Sequence, residues 1–143
     1  MISAYKRNKI AQLKKKFEVL KVNKESLLAL IEESELPELV YNSNAIENST
    51  LTLKETERIL LERETARNIS IRELFEAKNL ARITEYINSR TDFKLDVDNI
   101  LLLHRMLIGG IDDNIAGRLR GPNEYVRIGT HIAPAPEKVE QLR

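Results

Sequence analysis

The sequence predicts an all-α domain with one small β-hairpin close to its C-terminal end. Three observations carry this expectation. Apolar residues recur at three- and four-residue spacing in successive runs up to Ile108. Two of those runs follow a Ser or Thr with Glu three positions later, the spacing of a helix capping box. After Gly110, Gly, Pro and Asp breakers gather around two short β-prone pieces. The chain has 143 residues, 42% hydrophobic and 31% charged, with 5 Gly and 4 Pro, so a single folded domain spanning 1–143 is expected.

Taken in order, Ile10, Leu13, Phe17 and Leu20 define a first amphipathic helix with lysines on its other face. Asn23 is positioned to cap a second helix carrying Leu27, Leu28, Leu30 and Ile31. Pro37 suits the first turn of a third that runs through Leu39, Val40 and Ala45, and Asn48 can take the left-handed conformation that closes it. Thr52 with Glu55 and Ser70 with Glu73 open two more helices, which bury Ile59 and Leu60, then Leu74, Phe75, Ile83 and Ile87. Asp96 or Asp98 caps a further helix with Ile100, Leu103, Met106 and Leu107 inward, ended by Gly109-Gly110. Beyond it, Tyr125 to Ile128 and His131 to Ala133 read as a hairpin within a long loop, and a last helix begins after Pro136. A structureless loop of that length inside a small domain points to binding.

Several function classes are excluded or disfavoured. Lys+Arg and Asp+Glu number 23 and 22, so a net charge of +1 gives no global attraction to nucleic acid or to an anionic membrane. Neither is an expected partner. The absence of Cys rules out disulfides and thiolate chemistry within these residues. No apolar run spans a bilayer and MISAYKRNKI lacks a signal-peptide core, so a cytoplasmic location is the expectation. His104, in a leucine-rich run without a ligand-spaced partner, reads as a packed histidine, and no metal-binding spacing exists. The clusters Lys6-Arg7-Lys9 and Lys14-Lys15-Lys16 read as a solvated helix face. Arg118 and Arg120, in "AGRLRGP", either clamp a phosphate or carboxylate, or pair structurally with Asp112, Asp113 or Glu124.

One short stretch is poorly explained by folding alone. "SNAIENSTLT", Ser43 to Thr52, places Glu47 where a helix ends, although the negative end of the helix dipole repels a carboxylate.

Ser43-Asn44-Ala45-Ile46-Glu47-Asn48 resembles the inhibitory-helix signature of Fic-family proteins, [S/T]-x-x-x-E-[G/N], with Asn48 where many relatives have Gly. "LTLKETERIL", "LLLHRMLIGG", the "AGRLR" loop and "VRIGTHIAPAPEKVEQL" extend the likeness in the family's order from residue 37 onward. The resemblance implies a truncated Fic-like helical domain with a hairpin flap: 1–36 as N-terminal helices, 37–50 as inhibitory helix and turn, and 51–143 as the N-terminal part of the Fic core. The family reaction transfers AMP from ATP to a protein Ser, Thr or Tyr hydroxyl. Its catalytic signature, HPFx[D/E]GNGRxxR, is not among these residues and would lie downstream, so no catalytic residue is expected here.

On this resemblance, Glu47 pairs with an arginine of the catalytic signature and takes the place of the ATP γ-phosphate, with Ser43 one turn earlier on the same side and Asn48 closing the helix. Ile128, Gly129, Thr130, His131 and Ile132 form the flap that docks an extended target segment by strand addition. ATP and magnesium are implied for the full-length protein, and no cofactor for this chain alone. The expected partners are a target protein and, through apolar surface left uncovered, a second copy of the chain. The alternative is a non-enzymatic helical module that restrains a separate catalytic chain.

Overall fold

The computed structural model describes residues 3–65, 68–90 and 92–139. Helix α1, Ala4–Leu20, starts at Ser3, whose hydroxyl accepts from the Lys6 N–H at 3.3 Å. It buries none of its residues. Asn23 does not cap the next helix. It sits in the connecting turn at φ 59, a left-handed conformation that an Asn adopts at low cost, and Lys24 takes the cap position without a side-chain bond.

Helix α2 runs unbroken from Glu25 to Ile46, so the expected helix start at Pro37 is absent. An interior proline removes one helical hydrogen bond and crowds the preceding turn, at a cost of about 3 kcal/mol. Packing offsets that cost here: Pro37 and Val40 are fully buried, and Leu36 lies against the core. Local propensity marks a boundary that tertiary contact overrides.

Three later helices begin where the capping residues indicate. Helix α3, Leu53–Glu57, opens on a reciprocal box in which Thr52 accepts from the Glu55 N–H and Glu55 accepts from the Thr52 N–H. It passes directly into a π-helical turn, Arg58–Glu62, stopped by Arg63 at φ 58. Ser70 caps α4, Ile71–Asn88, and Asp96 caps α5, Val97–Ile108, through bonds to the N–H groups of Glu73 and Asn99.

The core joins α2, the α3 segment and α4: Val40, Leu51, Ile59, Ala77 and Ala81 are buried together, with Leu60, Leu74 and Leu80 packed around them. The small residues Ala77 and Ala81, one turn apart on α4, give the larger Val40 and Ile59 room to pack. Ile83 is buried as expected, whereas Phe75 and Ile87 stay on the rim at 36% exposure. Helix α5 packs on α4 through one face, leaving Leu103 and Met106 half-buried. Ile100 and Leu107, expected inward, are exposed; Ile100 borders an open cleft instead.

Asn79 fixes this pairing. It is 4% exposed, and its Nδ2 donates to the carbonyls of both Leu107 and Gly109 at 2.9 Å, so the end of α5 is held by a side chain of α4. Past the turn at Gly109-Gly110, a loop leads to an antiparallel pair, β1 (Arg127–Ile128) and β2 (His131–Ile132), with Arg127 opposite Ile132 and Ile128 opposite His131. Helix α6, Pro136–Val139, follows; its expected continuation over 140–143 lies outside the described residues. Among the described residues no helix is long and apolar enough to cross a membrane.

Candidate functional site

The stretch singled out by its misplaced carboxylate forms a defined turn at the end of α2. Asn48 is left-handed at φ 63, the Ser49 N–H reaches the Asn44 carbonyl at 3.1 Å and the Asn48 N–H reaches that of Ala45 at 3.2 Å. These are the paired bonds of a Schellman motif. Glu47 is the last residue before the left-handed one, and it is exposed. The last turn of α2 has no basic side chain, so nothing local neutralises the carboxylate against the helix dipole.

Among the described residues, the carboxylate of Glu47 and the hydroxyl of Ser43 make no side-chain hydrogen bond or ion pair. The side-chain amide of Asn44, between them in sequence, has a buried nitrogen that likewise finds no partner. A buried amide donor without an acceptor costs about 1–3 kcal/mol. Three polar groups in one turn are thus left without partners among the described residues, in a segment whose backbone N–H groups from Glu47 to Ser49 are all hydrogen-bonded.

The turn is anchored from the side by Glu73. One carboxylate oxygen accepts from the Thr50 N–H at 2.7 Å, the Thr50 hydroxyl at 2.8 Å and the Ser49 hydroxyl at 3.4 Å, while the other accepts from the Ser70 hydroxyl at 2.8 Å. The Thr50 hydroxyl, the Thr50 N–H and the Ser70 hydroxyl hold the Glu73 carboxyl down at a pKa of about 2. The sequence marked Glu73 as a capping residue of α4. Its second role, across 23 positions to Thr50, has no local signature.

Arg118 and Arg120 are brought to one side of the domain with His104. The fork of Arg118 grips Glu124 through both terminal nitrogens, at 2.6 and 2.8 Å, and its Nε donates to the Asn114 carbonyl at 2.6 Å. Of the two readings left open for Arg118, structural pairing is the one observed in this structure. Glu124 is held near 2 by that fork and by the Gly121 N–H. Arg120 donates to the Pro134 carbonyl at 3.0 Å, tying the loop to the base of the hairpin.

His104 Nδ1 accepts from the Gly117 N–H at 3.1 Å, so this histidine shapes the loop. Gly117 requires its lack of a side chain, for a Cβ there at φ +73 would fall 2.7 Å from that of Arg105. His104, Arg118 and Arg120 line a cleft of about 600 Å³ with Ile100, Leu119 and Pro136.

The hairpin projects from this loop. Its turn is Gly129-Thr130, with Gly129 at φ 62, the left-handed first position of a tight two-residue hairpin loop. Arg127 Nε donates to the Gly129 carbonyl at 2.8 Å and steadies the turn. Ile128 and Ile132 are 68% and 65% exposed, and Thr130 and His131 are exposed beside them. The sheet has two strands only, so each strand keeps an outer edge unpaired among the described residues. Among the described residues no hydrogen bond or ion pair joins the hairpin to the Glu47 turn, and the two are separate sites.

Among the described residues no group of three or more His, Asp or Glu could hold a metal ion, and the Arg118 fork is filled by a carboxylate.

The helical scaffold thus carries an exposed carboxylate at the end of α2 and a hairpin with open edges. Comparison with known proteins gives the family. The chain is 34% identical over 105 residues to a protein adenylyltransferase Fic from Nematostella vectensis, covering 71% of this chain and 24% of that protein. It is 36% identical over 99 residues to the protein of the same name from Drosophila melanogaster, covering 68% and 20% respectively. A crystal structure of a Fic family protein from Desulfovibrio desulfuricans G20 superposes with a TM-score of 0.71 at 24% identity, over 99% of this chain and 43% of the other, and shows the fold. No family model matches. The chain belongs to the Fic family and spans about a quarter or less of the length of these curated relatives.

Proposed function

We propose that this chain is the autoinhibitory and target-docking part of a Fic-type adenylyltransferase, acting on a catalytic signature carried by polypeptide beyond residues 1–143. The observation that carries the reading is Glu47: an exposed carboxylate at the wrong end of a helix, held in a hydrogen-bonded turn and unpaired among the described residues. A guanidinium from the catalytic signature turns this unfavourable placement into a favourable one, through a two-pronged, charge-assisted pair. While Glu47 holds that arginine, the arginine does not serve the terminal phosphate of ATP. The Ser43 hydroxyl, unpaired among the described residues, offers a further contact to the same incoming segment.

The hairpin supplies the second half of the function. Strand addition aligns a target by backbone hydrogen bonds, which tolerate variation in target sequence, and Ile128 and Ile132 add apolar contact. A Ser, Thr or Tyr hydroxyl on that segment receives AMP. ATP and magnesium belong to the assembled enzyme, and cytoplasmic placement to this reading.

The test is Glu47→Gly in a polypeptide that also carries the signature, assayed for self-modification with labelled ATP. The variant labels on the order of 100-fold faster, the scale of effect for restoring reactant alignment. An unchanged rate in a folded variant removes Glu47 from the inhibitory role.

A further inference from the structure

Helix α1 and the first half of α2 carry opposite charge, and both leave apolar surface uncovered. Helix α1 holds Lys6, Arg7, Lys9, Lys14, Lys15 and Lys16 against the single acid Glu18. Helix α2 holds Glu25, Glu32, Glu33, Glu35 and Glu38 and no basic residue. On α1, Ile10, Leu13, Phe17 and Leu20 form one stripe, 50–57% exposed, and helical geometry sets Lys9 and Lys16 along one border and Arg7 and Lys14 along the other. A solvated basic face does not account for four exposed large apolar residues in register at its centre.

The complementary surface lies on α2. Two clefts of about 440 Å³ each share Ala29 and Glu32 and so adjoin along one face of α2, a grooved surface running from Glu25 past Glu33 and Glu35 to Leu39, with Glu85 of α4 on its far wall. Leu28, Ala29, Leu36 and Leu39 give it apolar lining and five glutamates border it, against the single cation Lys21 at one end and the neutral polar residues Thr84, Asn88 and Ser89 on the α4 side. The groove is about 21 Å long from Glu25 to Leu39, and the α1 stripe about 15 Å, so the helix face fits within it. The molecule's own α1 does not occupy the groove, since every residue of that helix is exposed.

We propose that α1 of one molecule docks in the groove of a second copy, and reciprocally, giving a two-fold dimer by exchange of N-terminal helices. The apolar stripe supplies the buried area and the lysine and glutamate rims set partner and register. This inference does not depend on the role of Glu47.

The test uses two charge-reversed forms of the chain, one with Lys9→Glu, Lys14→Glu and Lys16→Glu, the other with Glu32→Lys, Glu33→Lys and Glu35→Lys. Analytical ultracentrifugation shows the unaltered chain as a dimer that weakens with salt, and each variant alone weakened on the order of 100-fold. Mixing the two restores a one-to-one dimer, because each acidic helix meets a lysine-rimmed groove and each basic helix a glutamate-rimmed one. Circular dichroism confirms that both variants fold. A monomeric unaltered chain, variants that dimerise as well as it does, or a mixture that stays monomeric would each overturn the proposal. The first of these is the outcome expected if α1 closes onto its own groove. Salt-sensitive binding of the monomer to random duplex DNA, lost in the lysine variant, would assign the basic helix to nucleic acid and also overturn it.

Discussion

Glu73, at the start of α4, accepts the Thr50 N–H at 2.7 Å and so fastens the turn after Glu47 to the body of the domain. The same carboxylate accepts hydroxyl groups of Thr50 and Ser70, so one side chain caps a helix and clamps the segment in front of it. Glu47 owes its fixed position to this remote acid as much as to its own turn.

Replacing Glu73 therefore loosens the turn. Glu73→Ala is expected to lower stability by about 1–2 kcal/mol, the scale for losing charge-assisted hydrogen bonds on a part-exposed group, and to speed amide exchange at Thr50. The pH dependence has a defined sign. The Glu73 pKa is lowered from 4.5 to about 2, so its contribution is complete above the ordinary carboxylate value and is lost as pH falls through that interval. Thermal melts of wild type and Glu73→Gln should converge as pH approaches 2 and stay apart above 4.5. A constant gap across the interval contradicts the assignment.

Asn79 is the buried polar link between α4 and α5, and Asn79→Leu leaves the carbonyls of Leu107 and Gly109 without their donor. Urea unfolding should show a loss of about 2–4 kcal/mol, from the two abandoned acceptors together with poor shape fit. A variant as stable as the parent would mean that water replaces the amide at no cost.

Gly129 tests the hairpin by conformation alone. A Cβ there meets nothing within 4 Å, yet φ is +62, so Gly129→Ala is expected to weaken the hairpin by about 1 kcal/mol and Gly129→Asn by less. Cross-strand nuclear Overhauser effects between Arg127 and Ile132 report the pairing directly. Equal effects of Ala and Asn would rule out backbone strain as the cause.

The parts of the fold legible in the sequence are those set by groups close together along the chain. Thr52 with Glu55, Ser70 with Glu73, Asp96, and Asn48 each satisfy backbone groups within a turn, and each marks a real helix boundary. Pro37 misleads because burial against the core decides its placement, and periodicity carries no information about what lies across α2. Ile100 and Leu107 mislead for a related reason: the spacing identifies an apolar face of α5 but not how much of it α4 covers. At the candidate site, Glu47 stood out by conflict with its own helix dipole, whereas the Glu73 clamp and the Asn79 bridge, 23 and 28 to 30 positions away from their partners, were invisible.

The most direct test of the inhibitory reading is the position of the Glu47 carboxylate in a crystal structure of a polypeptide that carries both this segment and the catalytic signature. Two parallel hydrogen bonds of about 2.7–2.9 Å from a guanidinium of the signature to Glu47 are expected. A carboxylate pointing into solvent, with that arginine engaged elsewhere, would contradict it.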